Sequence, residues 1–204
     1  MSLTIRRREL IAVLTAAAAW PLVARAQQAM PVIGLLSGSS TNAIPHLVTA
    51  LQRGLEDNGI VEGQNLAMDQ RWADGQFDQL PSMAAELVRR QVALIIALSV
   101  PSALAAKAAT ATIPIVFHSG GDVVKMGLVA SLNRPGGNAT GVNLFTQALE
   151  PKKLDVLTKL VPTATTFGYL SNPNTPGAEE TANEIRDAAR SRPITSRRRC
   201  EHAG

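Results

Sequence analysis

The stretch "VALIIAL" (92–98) is the most continuous apolar run beyond residue 27, and it limits the kind of sheet this chain can build. A strand with one wet face alternates apolar and polar residues. An unbroken run instead suits a parallel strand covered on both faces. Working outward, "PVIGLL" (31–36) and "IPIVFH" (113–118) read as further buried strands. "NLAMDQRW" (65–72) is more polar and nearer an edge, and "RPGGNATGVN" (134–143) holds a tight turn with a brief fifth strand.

Between these runs the period changes to that of a helix. Leu47, Leu51 and Leu55 stand at i, i+4 and i+8, closed by Gly59 as a C-terminal cap. "FDQLPSMAAELVRRQV" (77–92) puts Leu80, Ala84, Leu87 and Val88 on one face, with Arg89 and Arg90 favourable at its C-terminal end. Pro101 suits the first turn of another helix, and a short one is expected around 127–132. A helix over 151–160, a strand "TTFGYL" (165–170) and a last helix over 178–190 complete the pattern. Strands alternating with helices at this spacing predict an α/β, doubly wound parallel sheet.

Composition agrees. The 204 residues are 46% hydrophobic and 18% charged, as in a globular chain. Aromatic residues make up only 3%, so the core falls to Ala, Leu, Val and Ile. The net charge of +4 sits at the ends: residues 1–26 carry +3 and residues 190–204 carry +4, leaving −3 between them. A mildly acidic body has no electrostatic footprint for phosphate backbones, so no nucleic-acid partner is expected. Cys200 is alone, which excludes an intramolecular disulfide and a cysteine-rich metal site.

The first 26 residues read as an address. Arg6, Arg7 and Arg8 precede an apolar run (10–24) interrupted by Pro21, and Ala24-Arg25-Ala26 forms a small-x-small cleavage pattern before Gln27. The run is too short to span a bilayer. Arg7-Arg8 resembles the twin-arginine signal, and a general secretory signal reads equally well. Either route uses the export machinery and leaves the mature chain in the periplasm.

In a doubly wound sheet, ligands sit beyond the carboxyl ends of the strands. The loops there are 37–40, 99–102, 119–122 and 172–174, all rich in Ser, Gly, Asn or Asp. Ser99 is placed to cap the following helix, or to leave its N–H groups for a ligand carboxylate. Ser37, Ser39 and Ser40 admit the same two readings, with Gly38 permitting close backbone approach. Asp122 is the one carboxylate in these loops, fit for a ligand ammonium or for a helix cap. Asn172 and Asn174 suit ligand donors or turn residues alike. Trp72 reads as a packed strand residue rather than a ligand platform.

Enzyme motifs are missing: there is no G-x-G-x-x-G after the first strand, no phosphate-binding loop and no nucleophile elbow. His46, His118 and His202 are scattered. His118 and Ser119 are adjacent on an extended chain and point to opposite faces, which keeps them from sharing a proton. No cofactor and no metal are expected.

With these stretches in view, the chain resembles a known family. "WPLVARAQQ", "PVIGLLSGS", "GLEDNGIVEGQN", "RWADGQFDQLPSMAAELV", "AKAATATIPIVF", "GDVVKMGLVASLNRPGGNATGVN", "KKLDVLTKLVP" and "LSNPNTP" are similar to the substrate-binding proteins of ABC transporters. That resemblance implies a type I periplasmic-binding fold, with two Rossmann-like lobes joined by a hinge. It implies an amino-acid-like ligand held between the lobes, an ABC permease in the inner membrane as partner, and no catalysis. By position, the implied ligand-binding residues are Ser37, Gly38, Ser39, Ser40, Ser99, Ser102, Ser119, Asp122, Asn143, Asn172 and Asn174. Here 27–143 would form the first lobe, ending at the crossover "GVN" (141–143), and 144–190 part of the second. The resemblance stops near residue 190. A truncated, incomplete second lobe and a disordered, aberrant tail over 191–204 are therefore expected. The competing readings are a small hydrolase using Ser119 or Asp122, a sugar-repressor-type effector domain, and a weak nucleic-acid contact through Arg197, Arg198 and Arg199.

Overall fold

The computed structural model describes residues 30–173 and 175–190. The signal sequence and the arginine-rich tail read above lie outside the described residues. Five strands form one all-parallel sheet: β1 (Val32–Ser37), β2 (Ala67–Trp72), β3 (Leu94–Ala97), β4 (Ile115–Ser119) and β5 (Ala139–Asn143). Their spatial order is β2-β1-β3-β4-β5. The chain therefore runs from β1 to one side, then returns past β1 and continues to the other. The order reverses between β1 and β3.

Helix α1 (Pro45–Glu56) links β1 to β2, α2 (Leu80–Arg89) links β2 to β3, and α3 (Val100–Ala109) links β3 to β4. A short 3-10 turn, Phe77–Gln79, precedes α2. The reversal puts α1 on one face and α2 with α3 on the other, as two apolar clusters record. Leu36, Ile95, Ala97, Ile115 and Phe117 pack with Leu80, Ala84 and Leu87 of α2 and Ala103 and Ala106 of α3. On the opposite face Ile33 and Ile96 pack with Leu66, Leu51 and Leu55. Each buried Leu or Ile contributes roughly 1.5–3 kcal/mol relative to an exposed one. Apart from Phe117 the buried apolar residues of the sheet are aliphatic, as expected of a chain so poor in aromatics.

Coverage is uneven. On the α1 face, Val116 of β4 and Val142 of β5 remain 37% and 57% exposed among the described residues. Edge strand β2 is polar, with Asp69 paired to Arg71 and Arg90. Val88 and Trp72, read from the sequence as core residues, are only half-buried.

Two expected elements do not form. The stretch 165–170 is not a strand: it makes no ladder, and Tyr169 and Leu170 stand 44% and 98% exposed. A strand needs a partner for its backbone groups, and none is beside it among the described residues. Nor is there a helix at 127–132. The helical turn comes earlier, from Asp122, and Gly127 ends it: at φ +70 its N–H donates to Val124 O, while the Leu128 N–H donates to Val123 O. That pair of bonds is a Schellman closure, which needs the left-handed residue that glycine supplies. Leu128 and Val129 then enter the core. Beyond β5 come a 3-10 turn (Gln147–Leu149), α4 (Glu150–Leu160) and α5 (Ala178–Arg190); the two helices pack together with Leu154, Thr181 and Ala189 buried.

Helix α1 ends in the same closure at Gly59, as its sequence predicts, and α2 does so at Gln91. Gln91 holds φ +53 on an exposed site, at a cost glycine would not carry. Gln91→Gly should therefore raise stability by about 0.5–1 kcal/mol in urea denaturation. An unchanged or lower stability would show that the backbone here carries no strain.

Candidate functional site at the carboxyl ends of the strands

The loops after β1 and β3 meet at the strand reversal. Gly38 lies so close to the neighbouring loop that a side chain there would come within 2.7 Å of the Phe77 ring and 3.4 Å of Ser99 Oγ. Gly38 O also accepts from the Gly75 N–H at 2.8 Å, and Ser37 O from the Ala73 N–H at 2.9 Å. The β1, β2 and β3 loops are thus tied into one surface at the carboxyl end of the sheet.

Most side chains in these loops serve the backbone. The Ser39 N–H donates to Ser37 Oγ, and the Ser102 N–H donates to Ser99 Oγ, the N-cap of α3. The Ser99 and Ser102 hydroxyls also bond to one another. The Gly121 N–H donates to Ser119 Oγ at 3.1 Å. Ser37, Gly38, Ser102 and Ser119 are buried, whereas Ser39, Ser40 and Ser99 are half-buried and Asp122 is exposed. Asp122 Oδ1 accepts from the N–H groups of Val124 and Lys125, at 3.1 and 3.0 Å. Of the two readings open for Ser99 and Asp122, capping is realised. Both remain close enough to the surface to meet a ligand as well.

At the β5 edge of the same carboxyl end Asn143 is in register with Ser119. Asn143 Oδ1 accepts from the Phe145 N–H at 3.1 Å, while its Nδ2 is shielded from water and has no hydrogen-bond partner. Buried polar groups are seldom left so. The segment after β5 lies along the β4 loop: the Leu144 N–H donates to Ser119 O at 2.8 Å and the Gln147 N–H to Gly120 O at 3.0 Å. Phe77, Phe145 and Gln147 at this surface are missing from the sequence-derived set. An isolated Phe carries no motif, and only Phe145's place just past the last strand hinted at it.

The N-terminal end of α5 reaches the same region. Lys125 hydrogen-bonds Glu180, and Met126 lies beside Gly177 and Gly121. The hydrogen bond to Glu180, and then its charge, raise the Lys125 pKa above its usual value. The lysine is therefore charged at neutral pH, and on the alkaline side the pair is lost as pH rises through that raised pKa. Both side chains are at least half exposed, so the tie orients rather than stabilises. Asn172 is exposed, its carbonyl accepting from the Thr175 N–H in a turn, and Asn174 lies outside the described residues. An open groove of about 650 Å³ runs along Pro173, Thr175 and the acidic flank of α5, away from the strand reversal.

Catalytic geometry is not assembled among the described residues. Ser119 Oγ bonds only to Gly121, and no histidine, the adjacent His118 included, is among its hydrogen-bond partners. No group of His, Cys, Asp or Glu able to hold a metal ion occurs there. No described helix is long and apolar enough to cross a membrane.

Five parallel strands with helices on both faces and polar, uncharged loops at the strand reversal make this a doubly wound α/β lobe. Residues 29–196 match the family described as ABC transporter substrate binding protein, and the chain belongs to that family. A relative named tyrosine-binding protein, from Clostridioides difficile (strain R20291), is 33% identical over 138 residues, 68% of this chain and 39% of the relative. The structure is similar to a conserved domain protein from Vibrio cholerae, with TM-score 0.72, 25% identity, and coverage of 81% of this chain and 55% of that one. It also resembles an ABC domain in complex with L-Trp from Streptococcus pneumoniae, with TM-score 0.70, 22% identity and the same coverages. The chain thus spans little more than half the length of these solved structures and 39% of the curated relative.

If Asp122 serves as a cap, Asp122→Ala should cost about 1 kcal/mol of stability by urea denaturation and Asp122→Asn much less. Equal losses in both variants would mean that the charge, and not the cap, matters.

Proposed function

We propose that this chain is the ligand-binding part of an extracytoplasmic solute receptor for an ABC importer, taking a small amino-acid-like ligand without chemical conversion. The family match over residues 29–196 carries this reading. The loop chemistry supports it: Ser39, Ser40, Ser99, Asp122 and Asn143 offer hydroxyl, carboxylate and amide groups suited to an ammonium and a carboxylate. Ser37, Gly38, Ser102 and Ser119 shape the backbone beneath them, and Asn172 and Asn174 are further ligand donors in this reading. The tyrosine-binding relative favours amino acids as the ligand class. Residues 27–143 would make the first lobe and 144–190 a portion of the second, with an inner-membrane permease as the receiving partner.

Thermal-shift measurement of the full chain against the twenty amino acids tests this directly. One or a few should raise the melting temperature, since a ligand at a hundred times its Kd adds about 2.7 kcal/mol. Ester hydrolysis abolished by Ser119→Ala, with no amino-acid shift, would overturn the receptor reading in favour of a hydrolase. The export reading has its own test. Mass spectrometry of periplasmic material should find a mature chain beginning at Gln27, and an intact residue 1–26 segment there would refute cleavage.

A further inference from the structure

We propose that the outer edge of β5 pairs antiparallel with β5 of a second copy of this chain, about a twofold axis at Gly141. The sheet has two edges, β2 and β5. An edge strand carries a row of unpaired backbone N–H and C=O groups, and charged side chains are a common guard against pairing with another chain. β2 has that guard in Asp69 and Arg71, tied to each other and to Arg90 and Glu86. β5, "ATGVN" (139–143), has none: it carries no charged residue, and Thr140, Gly141 and Val142 are all exposed.

The hydrogen bonds to β4 fix which backbone groups are free. Asn138 O accepts from the Ile115 N–H, and the Leu144 N–H donates to Ser119 O, each at 2.8 Å. Even-numbered residues of β5 thus turn their backbone groups to β4, and Ala139, Gly141 and Asn143 turn theirs outward. A half-turn about Gly141 brings those three residues onto their own kind in another copy. Gly141 meets Gly141 and Ala139 meets Asn143, each pair exchanging both of its N–H···O bonds as an antiparallel ladder requires. No side chain stands on the axis, because a Cβ at Gly141 would come within 2.0 Å of Phe117 O. The same half-turn sets Val142 of one copy directly opposite Thr140 of the other. These are β-branched side chains suited to a pleated surface, on the α1 face where Val116 and Val142 are left uncovered. Charge favours a second copy as the occupant. In a twofold contact each side meets its own charge, so an uncharged strand pairs with itself without repulsion.

Sedimentation equilibrium of the full chain tests this pairing. The apparent mass should rise with concentration from 21.6 kDa toward twice that value. Thr140→Lys combined with Val142→Lys sets lysines directly opposite one another across the axis, and dimerisation should weaken about tenfold or more. Both residues are exposed, so the fold is kept. Thr140→Glu with Val142→Glu should weaken association alike, and mixing the two variants should restore it, because each lysine then faces a glutamate of the other copy. Leu170→Lys, at an apolar site that is 98% exposed outside the sheet, should leave association unchanged. A mass that stays at 21.6 kDa at every concentration would overturn the pairing. So would a dimer that survives the double lysine change, one lost equally in Leu170→Lys, or a mixture of the lysine and glutamate variants that remains monomeric.

Discussion

Between β1 and β3 the backbones pair in parallel from Ile33 with Leu94 to Leu36 with Ala97, and every side chain there except the half-buried Leu94 is shut from water. Parallel strands cannot be joined by a tight turn, and the first three crossovers each carry a helix to one face of the sheet. Because the chain leaves β1 toward β2 and returns past it to β3, the first two crossovers take opposite faces. The helices α1 and α2 are thereby committed to covering Ile33 and Ile96 on one side and Leu36 and Ile95 on the other. The same reversal separates α1 from α3 at their N-terminal ends. That leaves the carboxyl ends of β1 and β3 as a shallow polar surface, the place where a sheet of this kind takes ligands.

The polar loops there answer two demands at once. Backbone N–H groups released at strand ends and helix starts need acceptors, and short Ser and Asp side chains provide them within two or three residues. Ser37, Ser99, Ser119 and Asp122 all do so. A surface built from such caps is rigid and still polar, which suits recognition of a small zwitterion more than activation of a nucleophile. Asn143 departs from this economy, with one amide atom employed and the other unpaired, and it does so beside the strained Phe145.

Much of this was legible before any coordinates. The unbroken run at 92–98 announced a doubly covered strand, and the strand is there as Leu94–Ala97 with β1 and β4 at its sides. The helical faces of α1 and α2 and the cap at Gly59 also follow from residue spacing. The stretch 165–170 misled because its β-branched and aromatic residues express a preference for strand without supplying a neighbour. Around residue 127 the error was one of polarity: Gly127 closes a turn begun at Asp122 rather than opening a helix. Phe145 escaped notice because positive φ in a non-glycine residue leaves no mark in the sequence.

Residue order by itself determined the alternation of strand and helix, the doubly covered centre, and the polar chemistry of the loops, because each of these is a local matter of period and side-chain type. Tertiary structure alone decided which loop hydroxyls are buried as caps and which stay near the surface, and that the segment after β5 folds back along the β4 loop. It also decided that Asn143 keeps an unpaired donor next to Phe145. These depend on hydrogen bonds between β4, β5 and the chain beyond them, more than twenty residues apart, and no spacing rule within a single element can anticipate where such partners will meet.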